Sequence, residues 1–260
     1  MTGAGAAIEA AHVSHAIATQ HGPLEVVRDV SLSVEPGEFV AIVGPSGGGK
    51  TTFLNLVAGL EQPQEGTLLV DGRAPHAGAP GVSYAFARDA LLAWRTIVEN
   101  VALPLELAGV PLTERLCRAR VQLKRVGLED YAEHFRSQLS QGMRQRVALA
   151  RTLVNDPRLL LMDEPFAALD VQTRLLMQEQ LLDVLREHNA TVLFVTHDLG
   201  EAIALADRVV LFTRRPARIK TFYAIDLPRP RTVMSLQGDA AYHRIYEDLW
   251  AQLRDEVAAA

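Results

Sequence analysis

The sequence has little of several things that would direct its function elsewhere. Of its 260 residues, only Cys117 is a cysteine, so an internal disulfide is excluded and a cytosolic compartment is expected. No apolar run reaches the roughly 18 uninterrupted residues of a membrane-spanning helix. Residues 1–11 lack a basic start and a long apolar stretch, so the sequence predicts no signal peptide.

Positive charge is not in excess either. Lys and Arg number 26 against 31 Asp and Glu, which gives a formal net charge of −5. Because proteins that wrap nucleic-acid phosphates are usually basic, nucleic acid is not an expected partner. The composition itself, 48% hydrophobic and 22% charged, is ordinary for a globular protein, and the length suits one large domain or two small ones.

The most specific pattern is a glycine-rich run of the P-loop type, G-x-x-x-x-G-K-T. Its residues are Gly44, Pro45, Ser46, Gly47, Gly48, Gly49, Lys50 and Thr51, with Thr52 following. Backbone N–H groups of such a loop cradle phosphates, and the helix that starts near the lysine adds its positive N-terminus. The lysine supplies a charge for the β- and γ-phosphates and Thr51 a hydroxyl for Mg²⁺. The run therefore predicts binding of ATP with Mg²⁺.

Two carboxylates follow an apolar strand predicted over residues 158–162. In P-loop proteins the strand beside the P-loop carries an aspartate that holds Mg²⁺, and Asp163 has that place. Glu164 could orient or deprotonate the attacking water. His197 ends another predicted strand, 191–196, so we expect its ring at the same sheet edge, within reach of the γ-phosphate. The other histidines lack metal-ligand spacing, and no zinc site is predicted.

Strands and helices alternate along the chain, with a helical stretch in the middle. Apolar or β-branched runs predict strands at 12–17, 26–34, 38–43 and 66–70, and again after residue 157. Thr96 and Glu99 form a capping box that opens a helix, and Ser140 is the expected N-cap of a later one. Asp198 with Glu201 is expected to cap the helix that follows the 191–196 strand. This order predicts an α/β sheet interrupted by a helical insert.

The remaining motifs resemble, in order, those of the ABC transporter ATPases. They are Leu139-Ser140-Gln141-Gly142-Met143-Arg144-Gln145-Arg146 for the signature, Asp163-Glu164-Pro165 for Walker B, Ala168-Leu169-Asp170 for the D-loop and Thr196-His197-Asp198 for the H-switch. The resemblance runs from about residue 8 to the end. It implies a homodimer or heterodimer in which each P-loop and the partner's signature, Ser140, Gln141 and Gly142, hold one ATP.

Within that family the chain is most similar to importer ATPases of the nitrate/sulfonate/taurine type. The residues that carry this likeness are 90–94, Met143 and 226–231. The resemblance implies transmembrane permease subunits as partners, an extracytoplasmic solute-binding protein indirectly, and a peripheral place on the cytoplasmic face of the bacterial inner membrane. It also implies a permease contact near Leu91, Leu92 and Trp94, with packing in the core as the alternative explanation of these apolar residues.

Three positions depart from the family pattern. Ile17 falls where the family has an aromatic residue that stacks on adenine, and no Phe, Tyr or Trp occurs before Phe39. Ala87 falls at the Q-loop glutamine, which reaches Mg²⁺ in the family. Gln141 replaces a glycine of the signature, although its backbone N–H remains. We therefore hypothesise slow or partner-dependent hydrolysis.

The resemblance implies a P-loop NTPase (RecA-like) α/β core with an antiparallel β subdomain and an inserted α-helical subdomain. The expected organisation is a single ABC ATPase domain over 1–260. It divides at about 8–86 with 157–213 for the nucleotide-binding core with its β subdomain, 87–156 for the Q-loop region and helical subdomain, and 214–260 for a tail with an amphipathic helix. The leading function is the ATP-hydrolysing subunit of an importer. The alternatives are a weakened regulatory ABC ATPase with little turnover, and an ABC ATPase that acts on DNA or ribosomes.

Overall fold

The fold is described from a computed structural model, which covers residues 5–229, 231, 233–236 and 238–258. Its strands are β1 Ile8–Thr19, β2 Gly22–Val34, β3 Phe39–Val43, β4 Glu65–Val70, β5 Val82–Ala85, β6 Leu159–Asp163, β7 Thr191–Thr196, β8 Arg208–Phe212 and β9 Ile219–Ala224. Its α-helices are α1 Lys50–Val57, α2 Ile97–Leu107, α3 Leu112–Arg125, α4 Gln141–Leu153, α5 Val171–His188, α6 Leu199–Leu205, α7 Val233–Leu236 and α8 Ala240–Ala258.

A six-stranded sheet forms the centre of the molecule, in the order β5-β6-β7-β3-β8-β9. The first five strands are parallel, and β9 pairs antiparallel with β8. Every residue of β3, β6 and β7 is buried, as expected for parallel strands covered on both faces. Because parallel strands end at one edge, the residues that follow these three strands are brought to the same edge of the sheet.

A second sheet packs beside the first and holds three antiparallel strands in the order β2-β1-β4. Register shifts interrupt the pairing of β1 with β2 between Ala10 and Ala16, where two strands of 12 and 13 residues must bend. The apolar core that contains Val13, Val30 and Leu32 also takes in Phe53 and Leu54 of α1. The predicted fold class, an α/β P-loop core with an antiparallel sheet and a helical insert, is thereby confirmed.

The helical insert lies between β5 and β6 in the chain and contains α2, α3 and α4. The predicted capping box opens α2: Thr96 accepts from the backbone N–H of Glu99, and the Glu99 carboxylate accepts from the N–H of Thr96. Pro104 lies inside α2 without ending it. Ser140 caps α4 as predicted, since its hydroxyl accepts from the N–H of Met143.

The structure corrects the sequence reading in the order of the strands. The P-loop follows β3, and the two carboxylates lie at the end of β6, Asp163 as its last residue and Glu164 just after it, but β7 lies between these two strands. The strand beside the P-loop therefore carries His197 at its end, and Asp163 reaches the P-loop across one strand. Strand order is set by crossover connections, which local sequence patterns do not reveal.

Two strands were not predicted. Both β5 and β9 are edge strands, and both have residues that are only half-buried. The predicted amphipathic helix of the tail is α8, which buries Ile245, Leu249 and Leu253 at four-residue spacing. Pro230, part of the 226–231 likeness, lies outside the described residues. No helix in the described part of the chain is both long and apolar enough to cross a membrane.

Asn100 fastens the turn that precedes α2. Its side chain is fully buried; Oδ1 accepts from the N–H of Leu92, and Nδ2 donates to the carbonyls of Leu92, Arg95 and Thr96. We expect Asn100→Leu to lower the free energy of unfolding by about 3 kcal/mol, because buried backbone groups lose their partners. Urea unfolding measures it, and the exposed Leu107→Ala in the same helix should change stability by less than about 0.5 kcal/mol. A loss equally small for Asn100→Leu would contradict this role.

Candidate functional site

The P-loop is a tight turn between β3 and α1 that only glycine can make at two positions. Gly47 and Gly49 have φ of 70° and 92°, in the left-handed region that glycine favours. A Cβ on Gly49 would lie 2.7 Å from the carbonyl oxygen of Val26 and 2.9 Å from the Cβ of Ala217. The loop therefore packs directly against β2, and a side chain at position 49 would not fit.

Lys50 is held inside this turn by the loop's own backbone. It is a buried charged residue, and its Nζ donates to the carbonyl oxygens of Gly44 and Pro45, each at 2.8 Å. Burial lowers the pKa of Lys50, while the charges of Glu164 and Asp163 act in the opposite direction. Within the part of the chain that the structure describes, no ion pair engages the ammonium group of Lys50, which suits it to a phosphate.

Thr51 and Asp163 meet at the edge of the sheet, across β7. The Thr51 hydroxyl lies 3.0 and 3.2 Å from the two carboxylate oxygens of Asp163. Burial raises the pKa of Asp163, and the hydrogen bond from Thr51 opposes the rise. A buried carboxylate and a hydroxyl within bonding distance are the hard oxygen donors that Mg²⁺ takes, so these residues fit the predicted metal.

Glu164 and His197 form a second pair at the same edge. Oε1 of Glu164 lies 3.2 Å from Nδ1 of His197. Glu164 has a φ of 46°, and its N–H donates to the carbonyl oxygen of Val195 in β7. This strained backbone turns the Glu164 side chain away from the run of β6 and toward the end of β7, so the two predicted catalytic residues are brought together.

A buried polar network behind this pair was missed. A cavity of about 50 Å³ adjoins Glu164 and His197 and is also lined by Glu201. The sequence predicts only that Glu201 helps Asp198 to cap a helix. The N–H of Glu201 does donate to Asp198, but the Glu201 carboxylate turns inward and accepts hydrogen bonds from Thr196 and Gln178. Burial raises the pKa of Glu201. The spacing of a cap gives no sign of this burial.

The signature residues lie at the start of α4, apart from the P-loop. Among the described residues, no hydrogen bond or ion pair joins Ser140, Gln141 or Gly142 to residues 44–52. The Gln141 side chain is exposed, and a Cβ on Gly142 would meet only Leu169, at 3.7 Å. Asp170, at the predicted D-loop, caps α5 by accepting from the N–H of Thr173. The start of α4 is therefore open to another molecule.

The positions that depart from the family pattern are accessible. Ile17 is partly exposed on β1 and pairs with Leu24 of β2. Leu24 precedes by two residues Val26, whose carbonyl lies against the P-loop. Ala87 is exposed after β5 and has no polar side-chain atom. Of the apolar residues expected near a permease, Leu91 is buried in the core, which corrects the expectation for it, whereas the Trp94 side chain is 75% exposed.

Comparison with known proteins agrees with this geometry. Residues 27–167 match the family described as "ABC transporter". The chain is 47% identical over 214 residues to an uncharacterized ABC transporter ATP-binding protein, MJ0412, of Methanocaldococcus jannaschii, covering 82% of this chain and 80% of that one. It is 41% identical over 231 residues to the nitrate import ATP-binding protein NrtC of Synechococcus elongatus, covering 88% of this chain but 35% of NrtC.

A solved structure gives the same result for the fold. The dimeric post-hydrolysis structure of the ATP-binding cassette MJ0796, bound to ADP and Pi, superimposes with a TM-score of 0.78 at 30% identity. The match covers 85% of this chain and all of the cassette. A parallel sheet with a P-loop and two acids at its edge defines a P-loop nucleoside triphosphatase. The chain belongs to the ABC transporter family, as its ATP-hydrolysing, ATP-binding subunit.

Proposed function

We propose that this chain hydrolyses ATP at the edge of the central sheet and thereby powers a membrane importer. The observation that carries the proposal is the convergence of Lys50, the Thr51–Asp163 pair and the Glu164–His197 pair at that edge. Glycines 44, 47, 48 and 49, with Pro45, Ser46 and Thr52, complete the phosphate cradle. Glu164 orients and deprotonates the attacking water, and His197 holds Glu164 and contacts the γ-phosphate.

Mg²⁺ is the proposed metal, held by Thr51 and Asp163. When bound with ATP, such an ion neutralises charge on the β- and γ-phosphates. Ala87 adds no oxygen to the set, so these two residues supply the protein's ligands. Adenine then lies near Ile17, on an aliphatic rather than an aromatic surface.

The active form is a head-to-tail dimer, with an identical or a related second subunit. Support comes from the dimeric state of the MJ0796 cassette and from the open start of α4, where the N–H groups and Ser140 can meet an anion. Ser140, Gln141 and Gly142 then close on the ATP held by the partner's P-loop, and Asp170 lies near the junction. Hydrolysis reopens the dimer and moves the attached membrane subunits.

The transporter is an importer of the nitrate/sulfonate/taurine type, whose solute is a small anion or an organic sulfur or nitrogen compound. Support comes from NrtC, named for nitrate import, and from a bicarbonate transport ATP-binding protein of Synechococcus elongatus at 40% identity over 86% of this chain. The chain then works on the cytoplasmic face of the bacterial inner membrane, bound to permease subunits and served by a solute-binding protein. No nucleic acid takes part.

A three-part division of the chain goes with this function. Segments 8–86 and 157–213 form the nucleotide-binding core, and 87–156 forms the Q-loop region and helical subdomain. The tail, 214–260, begins with β9, which completes the central sheet by pairing with β8.

A weakened, regulatory ATPase is the second candidate function. Ile17, Ala87 and Gln141 favour it, while the intact Glu164–His197 pair favours turnover.

A pull-down from detergent-solubilised membranes tests the transport part of this proposal. We expect the tagged chain to recover membrane-spanning subunits and Trp94→Ala to recover at least fivefold less, because an exposed indole is a typical anchor of an interface. Trp250→Ala, which removes the other tryptophan, is the matched control and should recover as much as the wild type. Full recovery by Trp94→Ala would remove Trp94 from the contact, and recovery of nucleic acid instead of membrane subunits would refute the transport role.

A further inference from the structure

The loop that follows β5, residues 86–95, is fastened to the helical insert by three arginines. Nε of Arg136 donates to Oδ1 of Asp89 at 2.9 Å, and Nε of Arg144 lies 3.4 Å from the other carboxylate oxygen. The Arg151 guanidinium donates to the backbone carbonyls of Asp89 and Ala90, at 2.7 and 2.8 Å. The loop is therefore held at Asp89 and Ala90, both through the Asp89 side chain and through the backbone carbonyls.

Two of these contacts join the loop to α4, one near each end of the helix, and the third joins it to the turn that precedes α4. Arg144 lies in the first turn of α4 and Arg151 in its last, while Arg136 lies in the 3-10 turn just before the signature. The Asp89 side chain is only 12% exposed, so its carboxylate has little access to water, whereas the side chains of Arg136 and Arg144 are 41% and 26% exposed. A shift of α4 must therefore carry the loop with it or break a partly buried ion pair, which is costly.

The charge state of Asp89 suits this role. Burial acts to raise the pKa of its carboxyl group, but the hydrogen bonds from Arg136 and from the N–H of Leu91, with the charges of Arg136 and Arg144, outweigh it. The net pKa lies below the ordinary value, so the carboxylate stays ionised at neutral pH.

The same loop has no polar connection to the P-loop of its own chain. Ala87 offers no side-chain donor or acceptor, and within the described residues no hydrogen bond or ion pair joins residues 86–95 to residues 44–52. The polar connections of the loop run instead to the helical insert: Leu92 and Arg95 bond to α2, and Asp89 and Ala90 bond to Arg136, just before the signature, and to α4. That helix begins at Ser140, where the proposed dimer places the partner's nucleotide.

We propose that the 86–95 loop responds to the nucleotide bound by the second subunit, which lies against the start of α4 in the dimer, and not to the nucleotide in its own P-loop. Asp89 is the positioning residue that transmits this response. The inference rests on the proposed ATP-dependent dimer. In this chain, the surroundings of Trp94 would therefore change when the second subunit binds ATP.

Trp94 provides the reporter for a test. It is exposed in the 86–95 loop, and the only other tryptophan, Trp250, lies on α8 and is 45% exposed. In a chain with Trp250→Phe and Glu164→Gln, Trp94 is the only tryptophan and bound ATP is retained. The position of its emission maximum, read with Mg-ATP present and absent, measures the surroundings of the loop.

The first arm separates the two nucleotides. At saturating Mg-ATP, we expect the Trp94 emission to shift only at protein concentrations where sedimentation velocity shows a dimer. Gly142→Asp, placed where a larger side chain meets only Leu169, should bind ATP, stay monomeric and show no shift. An equal shift of the Trp94 emission in the monomer would mean that the loop responds to the nucleotide in the P-loop of the same chain. That result would overturn the inference.

The second arm tests Asp89. We expect Asp89→Asn to dimerise as before, with a Trp94 shift reduced at least fivefold, because its ion pairs to the helical insert are lost. Arg136→Gln, which removes one partner and leaves Asp89, is the second variant and should reduce the shift at least twofold. Glu106→Gln is the control, since Glu106 binds Arg95 of the same loop but lies in α2; its shift should be unchanged.

The outcomes are distinct. A full shift in Asp89→Asn dimers would overturn the inference, because it would mean that Trp94 is simply covered in the dimer. Absence of an ATP-dependent dimer in every variant would overturn the proposed dimer itself, and the inference with it. Sedimentation separates these two failures, because only the second abolishes the change in mass.

Discussion

We expect Glu164→Gln to lose ATP turnover by roughly 10²–10⁴-fold while ATP binding is retained, since this is the usual contribution of a general base. Glu164 follows Asp163 at the end of β6, and its carboxylate lies 3.2 Å from His197. Glutamine keeps the size of the side chain but cannot take a proton from water. Binding is retained because the P-loop and Lys50 are untouched.

Phosphate release at saturating Mg-ATP measures the turnover, and binding of a fluorescent ATP analogue measures affinity. Glu129→Gln is the matched control, because Glu129 is exposed in a 3-10 turn of the helical insert. We expect its turnover to equal that of the wild type. A Glu164→Gln variant that turns over within about twofold of the wild type would remove Glu164 as the base.

The second large effect is expected for Lys50→Met, which should weaken ATP binding about 100-fold. Hydrogen bonds to charged groups are worth about 1.5–3 kcal/mol, and the upper figure corresponds to a factor of about 100 in affinity. The loss has two sources. The phosphates lose a positive charge, and the carbonyls of Gly44 and Pro45 lose the ammonium group that holds the turn.

The matched control for this variant is Lys124→Met, because Lys124 lies exposed in the last turn of α3. Titration with the ATP analogue should give wild-type affinity for Lys124→Met. Circular dichroism would check that both variants are folded. Unchanged affinity in a folded Lys50→Met chain would show that phosphate is bound elsewhere.

The phosphate cradle and the helix caps could be predicted because each is a local pattern. The glycine-rich run, its lysine and its threonine lie within eight consecutive residues. Thr96 and Ser140 cap their helices by accepting from N–H groups only three residues away. Such short-range chemistry depends little on the rest of the fold.

The parts that could not be predicted depend on contacts between distant segments. The insertion of β7 between β3 and β6 follows from how the chain crosses over the sheet, so the reach of Thr51 to Asp163 across it has no local sign. The inward turn of Glu201 depends on Thr196 and Gln178, one of them 23 residues away.

The 86–95 loop illustrates the same limit at the functional surface. Leu91 and Trp94 belong to one apolar stretch, and sequence alone left both core packing and an exposed contact open for it. The structure buries Leu91 and exposes Trp94. The three arginines that hold Asp89 lie 47 to 62 residues further along the chain, so no local pattern links them to it.

The most direct test of the account is phosphate release from Mg-ATP by the purified chain over a range of protein concentrations. A site completed by two subunits predicts release per chain that rises with concentration, stops when excess EDTA removes Mg²⁺, and falls at least 100-fold in Glu164→Gln. Release no greater than that of Glu164→Gln at every concentration would contradict an ATPase that works through its own dimer, and would favour the weakened, regulatory alternative.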